Sequence, residues 1–170
     1  MIGRPGQDEA APYYFTYIDQ APGDDPLALL EGQCGEAEAF FAGISEEKSR
    51  HRYADGKWSM RETLAHVNDT ERVMAFRALW FARGFEEPLA SFDQNVAAGA
   101  AEGDQTAWAE HVEEFRRVRA ATIALFRHLP PPAWMRRGTA SGNPFSVRAL
   151  SYIIAGHWAH HLRILRARYV

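Results

Sequence analysis

Four long segments of the chain place apolar residues at steps of three and four, the spacing of a helix with one buried face. Asp25 followed by Pro26 marks the start of the first segment, because aspartate caps helices and proline suits the first helical turn. The pattern therefore predicts an amphipathic helix from this point. Its buried face is predicted to contain Leu27, Leu30, Cys34, Ala37, Phe41 and Ile44.

The second segment begins at Ser59, with Glu62 three positions later. This spacing predicts a capping box, in which each side chain hydrogen-bonds the backbone beside the other. Gly84 is a plausible stop, since glycine favours the backbone conformation that ends helices. The predicted buried face of this helix consists of Leu64, Val67, Met74, Ala78 and Phe81.

Two further helices are predicted in the second half of the chain. The third starts near Asp104 and ends at the prolines 130–132, and the fourth starts near Ser146. Apolar positions of the third are Trp108, Val112, Phe115, Val118, Leu125 and Leu129, with Thr122 on the same face. Those of the fourth are Leu150, Ile153, Ile154 and Leu165, and His157 and His161 lie on the same face.

Four amphipathic helices without clear strand alternation predict an all-α protein, with residues 26–170 as a single four-helix bundle domain. The connection 84–103 is long enough to run the length of a helix, so the second and third helices can be parallel. The stretch 134–142 is compatible with a short hairpin. Residues 1–25 contain three prolines and four aromatic residues without helical period, which predicts an extended N-terminal arm packed along the domain.

Composition narrows the classes of function. Apolar residues make up 46% of the 170 residues and the net charge is -3, so we expect no nucleic-acid and no membrane partner. No apolar run approaches a membrane span or a signal peptide, which favours a cytoplasmic location. The single cysteine, Cys34, excludes an internal disulfide and a cysteine metal cluster, and is expected to be a core residue.

Two of the seven histidines stand out because His157 and His161 share one helix face at a spacing of four. This spacing suits two imidazoles that bind one small cation. The alternative is a pair with a packing role only. His160, three residues after His157, stays a reserve candidate for the second position. The absence of glutamate next to His157 disfavours a metalloprotease of the H-E-x-x-H type.

Two histidines are too few for a stable metal site, so a third ligand must come from another helix. His66 is the best candidate because it lies in the middle of the second helix, although it could equally be a polar residue at the edge of the apolar face. For the others we expect no function: His51 in a solvated loop, His111 half-buried, and His128 at a helix C-terminus, where a cation is favourable.

Three motifs together resemble the DinB-like superfamily, and its DinB_2 branch most of all. They are K-W-S-x-R-E-x-L-x-H at 57–66, D-T-E-R at 69–72 and G-H-x-x-H-H-L at 156–162, and the resemblance extends over the chain from about Tyr13. It implies a four-helix bundle in up-down-down-up order. It also implies a divalent-metal site formed by His66, His157 and His161, which selects His161 over His160.

The resemblance implies a divalent-metal-dependent enzyme that acts on a small molecule. We expect Zn²⁺, with Ni²⁺ or Fe²⁺ as alternatives, and a homodimer, for which Trp80, Phe81 and Phe85 could supply a contact. Relatives that use bacillithiol or mycothiol suggest a thiol-dependent S-transferase with a low-molecular-weight thiol as co-substrate. A hydrolase remains open, as does a stress-related protein that binds metal or a small ligand without turnover.

Five residues in or near these motifs have open roles. Asp69 could orient His66 or be a surface acid, and Glu71 with Arg72 could line the site or brace helices through ion pairs. Arg148 and Tyr152 could contact a polar substrate or pack at the core edge. None of them is predicted to be catalytic.

Overall fold

The computed structural model describes residues 2–170, which form six α-helices and one β-hairpin. The helices are α1 (Phe15–Ile18), α2 (Pro26–Phe41), α3 (Met60–Ala82), α4 (Gln94–Ala101), α5 (Trp108–Arg127) and α6 (Val147–Arg168). The antiparallel strands are β1 (Arg137–Ala140) and β2 (Asn143–Ser146). Four short 3₁₀ helices cover Pro12–Tyr14, Lys48–Arg50, Gly103–Gln105 and Pro131–Met135.

The long helices begin where the capping signals predict. The Asp25 side chain accepts hydrogen bonds from two backbone amides at the start of α2. Ser59 and Glu62 form the full capping box of α3, and the Ser146 hydroxyl accepts from the Ala149 amide at the start of α6. These caps satisfy backbone donors that a helix leaves unpaired at its N-terminus.

Side-chain contacts give the helix directions. Between α3 and α5 the residue numbers of the contacting pairs increase together, from Asn68 with Glu114 to Glu71 with Arg119. These two helices are therefore parallel. Between α2 and α5 the order is reversed, because Glu31 pairs with Arg127 and Glu38 with Arg116. Helix α6 is antiparallel to α3: His66 meets His157, and Met74 lines one cavity with Ile153. The bundle α2–α3–α5–α6 is therefore up-down-down-up, as expected.

The connection between the parallel helices holds α4, a helix that the sequence pattern did not predict. Asp93 caps it, and its side chains are half-buried or exposed, which explains the weak apolar period.

Helix α5 begins at Trp108, a few residues after the expected start near Asp104. The hairpin exists but lies at 137–146. Its turn residues Ser141 and Gly142 both have positive φ, as tight hairpin turns of this kind require.

Two hydrophobic clusters fill the bundle, with a polar layer between them. One contains Met74, Phe81 and Ile153, and the other contains Leu64 and Trp158. On α3 the buried polar residues Asn68, Thr70 and Glu71 separate the clusters, and on α6 Gly156 and His157 do so. The layer places polar chemistry at mid-height in the bundle. Cys34 is half-buried and packs against the first cluster, and burial raises the pKa of its thiol.

The N-terminal segment packs on α6 and includes two short helical turns, Pro12–Tyr14 and α1, that its prolines did not suggest. The buried Glu9 carboxylate accepts hydrogen bonds from Arg148 and Ser146. The backbone of Tyr17 lies against Gly156, where a Cβ atom would stand 1.9 Å from the Tyr17 carbonyl oxygen. Only glycine permits this approach.

Within residues 2–170, none of the helices combines the length and the apolar character needed to cross a membrane.

Candidate metal centre

Three histidine rings meet in the polar layer between α3 and α6. His157 Nε2 lies 3.1 Å from His66 Nε2 and 3.1 Å from His161 Nε2. The ligand atoms of the three side chains all lie within 4.8 Å of one another. His66 and His157 are buried, and His161 is half-buried at the edge of the bundle.

The geometry of the two helices explains why the three histidine rings lie close together. His157 and His161 stand one helical turn apart on α6 and point the same way, because residues four apart share a helix face. The antiparallel α3 supplies His66 at the same height. The structure therefore brings together the three histidines that the sequence analysis selected.

The spacing of the ring nitrogens fits a small divalent ion. Two nitrogens at about 2.0–2.1 Å from one ion in tetrahedral geometry lie roughly 3.3 Å apart. The two separations of 3.1 Å from His157 are close to this value. Histidine-only donors suit zinc, nickel, iron or copper, so these residues could hold such an ion.

Burial keeps the rings neutral. It lowers the pKa of His66 to about 4 and that of His161 to about 3, because a charged imidazole loses hydration there. The pKa of His157 is lowered well below its usual value, first by burial and then by the neighbouring histidines. Neutral rings have a lone pair free for a metal at physiological pH.

Aromatic and hydroxyl groups surround the three rings. The Trp58 ring centroid lies 4.9 Å from that of His66, and Tyr17 packs edge-on against His157 at 5.3 Å. Thr70 Oγ1 is 3.4 Å from His66 Nδ1, on the far side of that ring from His157. This hydroxyl can fix the ring orientation, a role that partners of metal-binding histidines usually have.

Two cavities border the histidine cluster. One, of about 220 Å³, includes His157, Tyr14, Tyr17 and Arg77 in its wall. The other, of about 310 Å³, includes His161 and Trp58. Among the described residues that line either cavity there is no aspartate or glutamate. The site is thus reachable by small molecules and lacks a carboxylate base.

His160 and Asp69 lie apart from the cluster. His160 Nδ1 is 3.3 Å from Gln20 Nε2, and its ring packs against Tyr17. The Asp69 carboxylate pairs with Arg72 at 3.3 Å, and burial raises its pKa while Arg72 opposes the rise. Thr70, one residue further on, contacts His66 in the place where Asp69 was considered.

The other open roles are resolved as structural contacts. Glu71 pairs with Arg119, and Arg72 pairs with Glu114, so D-T-E-R braces α3 against α5. Arg148 binds Glu9, and the Tyr152 hydroxyl donates to the Gly23 carbonyl. Both residues of α6 therefore hold the N-terminal segment.

The motif at 57–66 serves the fold and the site together. Trp58 packs on His66, while Ser59 and Glu62 cap the helix. The buried Arg61 donates to Ser49, to the Thr106 carbonyl and to Glu46, and so ties two loops to the start of α3.

One expectation about burial and one about a surface contact were wrong. His111 is 3% exposed rather than half-buried, because its Nε2 reaches the Gly103 carbonyl oxygen at 2.8 Å. Phe81 is 1% exposed and fills the core beneath Gly138, which confirms its predicted place on the buried face of α3. It therefore cannot supply the surface contact suggested for it, whereas Phe85 is exposed. His51 is exposed and His128 is the C-terminal cap of α5, both as expected.

Sequence reasoning missed several residues around the site, namely Tyr17, Trp58, Thr70 and Arg77. Three of them had a signal in the sequence: Tyr17 belongs to the N-terminal aromatic group, Trp58 to the motif 57–66 and Thr70 to D-T-E-R. No sequence signal marked Arg77, since its hydrogen-bond partners Ala90 and Ser141 lie 13 and 64 residues further along the chain.

The fold and the histidine cluster define a class: up-down-down-up four-helix bundles with three histidines gathered between the second and fourth bundle helices. A family model described as the DinB superfamily matches residues 29–165. The chain belongs to the DinB superfamily. No curated protein sequence matches it significantly.

Solved structures share the fold at low identity. YfiT from Bacillus subtilis, described as a probable metal-dependent hydrolase with an unusual four-helix bundle topology, is 15% identical with a TM-score of 0.69. The match covers 96% of this chain and 91% of YfiT. A mycothiol-dependent maleylpyruvate isomerase is 16% identical with a TM-score of 0.68, covering 85% of this chain and 61% of the isomerase. This chain thus corresponds to only part of the isomerase.

Proposed function

We propose that this protein is a divalent-metal-dependent enzyme in which His66, His157 and His161 hold the ion. The observation that carries the proposal is the meeting of three neutral imidazoles at 3.1 Å steps beside two cavities. Three protein ligands with room beside them are typical of catalytic rather than structural zinc sites. We expect Zn²⁺, with Ni²⁺ or Fe²⁺ as alternatives.

The preferred reaction is transfer of a low-molecular-weight thiol to an electrophilic small molecule. When bound, the ion would supply a Lewis acid that lowers the pKa of an incoming thiol or water. Three neutral histidines add no negative charge, which favours an anionic thiolate beside them. The lack of carboxylates in the cavity walls also suits a thiol, which needs no strong base to ionise. The mycothiol dependence of the isomerase is consistent with this choice.

The chain's own residues arrange the site. Burial keeps the three imidazoles unprotonated, and Thr70 orients the His66 ring. The Tyr17 ring packs edge-on against one side of the His157 ring. Its hydroxyl is 3.1 Å from that of Tyr13, so the pair can present a hydroxyl to a ligand in the cavity. A hydrolase, as suggested for YfiT, is the second candidate.

The test is a turnover screen with metal-loaded protein. Mycothiol, bacillithiol and glutathione are each supplied with 1-chloro-2,4-dinitrobenzene; the thiol sulfur bonds to the ring carbon, chloride leaves, and the thiol proton passes to water. We expect metal-dependent product with at least one thiol and none with H157A/H161A protein. Metal binding without thiol transfer or ester hydrolysis across such a screen would favour a binding protein.

We also propose a homodimer. Phe76, Leu79 and Phe85 on and after α3 are exposed, and the first two border a groove of about 430 Å³ with Leu125. Contiguous exposed apolar surface is typical of an interface between proteins. Light scattering should give twice the 19.2 kDa chain mass for the wild type and the single mass for Phe76→Glu. A cytoplasmic location stays a prediction from the sequence.

A further inference from the structure

Arg77 on α3 is a buried guanidinium without a counter-ion. Three arginines are buried to 3% exposure or less: Arg61, Arg77 and Arg119. Arg61 pairs with Glu46 and Arg119 with Glu71. In residues 2–170, by contrast, no carboxylate lies within ion-pair distance of Arg77.

The partners of Arg77 are neutral and few. One terminal nitrogen donates to Ser141 Oγ at 2.8 Å and to the Ala90 carbonyl at 3.4 Å, and the other is 3.8 Å from the Met74 sulfur. The guanidinium also lies 6.0 Å from the Phe145 ring centroid, and the Tyr14 hydroxyl favours its charged form. A thioether is a weak acceptor. Burying a charge without a paired opposite charge is costly. A bound anion would supply the opposite charge that the buried Arg77 guanidinium lacks.

The cavity beside Arg77 connects it with the histidine cluster. Arg77 and His157 both line the space of about 220 Å³, together with hydroxyls of Tyr14, Thr70 and Ser141. Its remaining described lining contains aromatic and apolar side chains, one amide and no acid: Tyr13, Tyr17, Val73, Met74, Phe92, Ile153 and Gln94. The volume is several times the roughly 30 Å³ share of a water molecule in the liquid. A small aromatic or aliphatic acid would fit.

We propose that Arg77 is the anion-binding residue of the substrate cavity and that the substrate is a small organic carboxylate with an apolar body. This inference names the substrate class of the proposed enzyme. It rests on the proposed function for the claim that the bound carboxylate is a substrate. The terminal nitrogen beside the Met74 sulfur keeps N–H donors for a carboxylate, in a charge-assisted hydrogen bond. Ser141 and Ala90 fix one side of the fork, so its orientation is set before the ligand enters. The apolar body then lies among the aromatic rings, between Arg77 and His157.

Binding of a probe tests the subsite apart from catalysis. Benzoate carries the carboxylate on an aromatic body, and benzamide is its neutral analogue. By calorimetric titration or ligand-observed NMR we expect the wild type to bind benzoate at least 10-fold more tightly than benzamide. We expect the same preference in H157A/H161A protein. A failure of the metal proposal would therefore leave this result intact, and a failure here would leave metal binding intact.

Three variants complete the experiment. Arg77→Met should lose the preference for benzoate, and Arg77→Lys, which keeps the charge, should retain part of it. Arg72→Met removes an exposed arginine from the same helix and should bind benzoate like the wild type. Equal affinity of the wild type for both probes overturns the proposal, as does undiminished benzoate binding by Arg77→Met. If Arg77→Met fails to fold, the wild-type comparison and Arg77→Lys still decide.

Discussion

Glu71 and Arg119 form an ion pair inside the bundle that joins the two parallel helices. Arg119 Nε and one terminal nitrogen of Arg119 each lie 2.9 Å from a Glu71 carboxylate oxygen. The Glu71 side chain is 4% exposed and the Arg119 side chain 1%. The other terminal nitrogen of Arg119 donates to Gln33, so the pair also reaches α2. Because Glu71 is little more than one turn after His66, this contact also fixes the height of the histidine cluster.

Removal of one partner should destabilise the protein strongly. Glu71→Ala leaves the Arg119 charge buried without its counter-ion, which should lower the free energy of unfolding by about 3–5 kcal/mol. Urea unfolding followed by circular dichroism measures the change. Glu31→Ala, which breaks an exposed pair with Arg127, is the control and should have little effect. Similar losses in both variants would contradict a special role for the buried pair.

Metal content should depend on the three clustered histidines and not on their neighbour. Elemental analysis of purified protein should find about one divalent ion per chain, in keeping with one three-histidine site. H157A/H161A protein should have none, because one remaining imidazole cannot hold the ion. His160→Ala should keep full occupancy, since His160 contacts Gln20 and Tyr17 instead. Full occupancy in the double variant would refute the ligand assignment.

Acid should destabilise the metal-free protein. The folded pKa values of His66 and His161, about 4 and about 3, lie below the unfolded value of 6.5. Between these limits the unfolded chain binds more protons, so stability is complete above pH 6.5 and falls as the pH drops towards 4. Each histidine contributes a slope of about 1.4 kcal/mol per pH unit.

Unfolding of chelator-treated protein at several pH values measures this dependence. His66→Gln removes one titrating group and should give a shallower slope. A stability that does not change between pH 6.5 and 4.5 would show that the rings are not buried as described.

Gly156 should not tolerate a side chain. A methyl group there would collide with the Tyr17 carbonyl oxygen, so Gly156→Ala should cost about 1–3 kcal/mol or displace the N-terminal segment. Gly35→Ala is the control: it lies on the exposed face of α2 with nothing within 4 Å, and should stabilise the helix by about 1 kcal/mol. Thermal unfolding compares the two; a stabilising Gly156→Ala would contradict the close contact.

The helices and the histidine cluster could be predicted because their signals are local or repeated. Caps at Asp25, Ser59 and Ser146 and the apolar steps between them define α2, α3 and α6. The spacing of His157 and His161 follows from helix geometry alone. The need for a third ligand pointed to His66 in the middle of the second helix, with a packing role as the open alternative. The selection of His161 over His160 came from a family resemblance, since distances between helices are not encoded in any single segment.

The missed features depend on contacts between distant segments. Helix α4 has no buried face of its own, so apolar period could not reveal it. The aromatic N-terminal segment takes a helical turn at Phe15–Ile18 because it packs on α6. The surroundings of Arg77 depend on Ser141, which lies 64 residues further along the chain, and on the cavity that both residues line. The burial of His111 likewise depends on tertiary packing, because its partner Gly103 lies in the connection before α5.

His157 follows His66 by 91 positions in the chain, which has a consequence for the order of events during synthesis. The connecting loop, α5 and the hairpin all lie between the two histidines in the chain. The cluster cannot assemble on the ribosome until nearly the whole described bundle has emerged, so an early nucleus cannot include it. An ion captured there acts as a late cross-link between the early helix α3 and the last helix, and its loss should loosen the α3–α6 contact before the rest of the bundle.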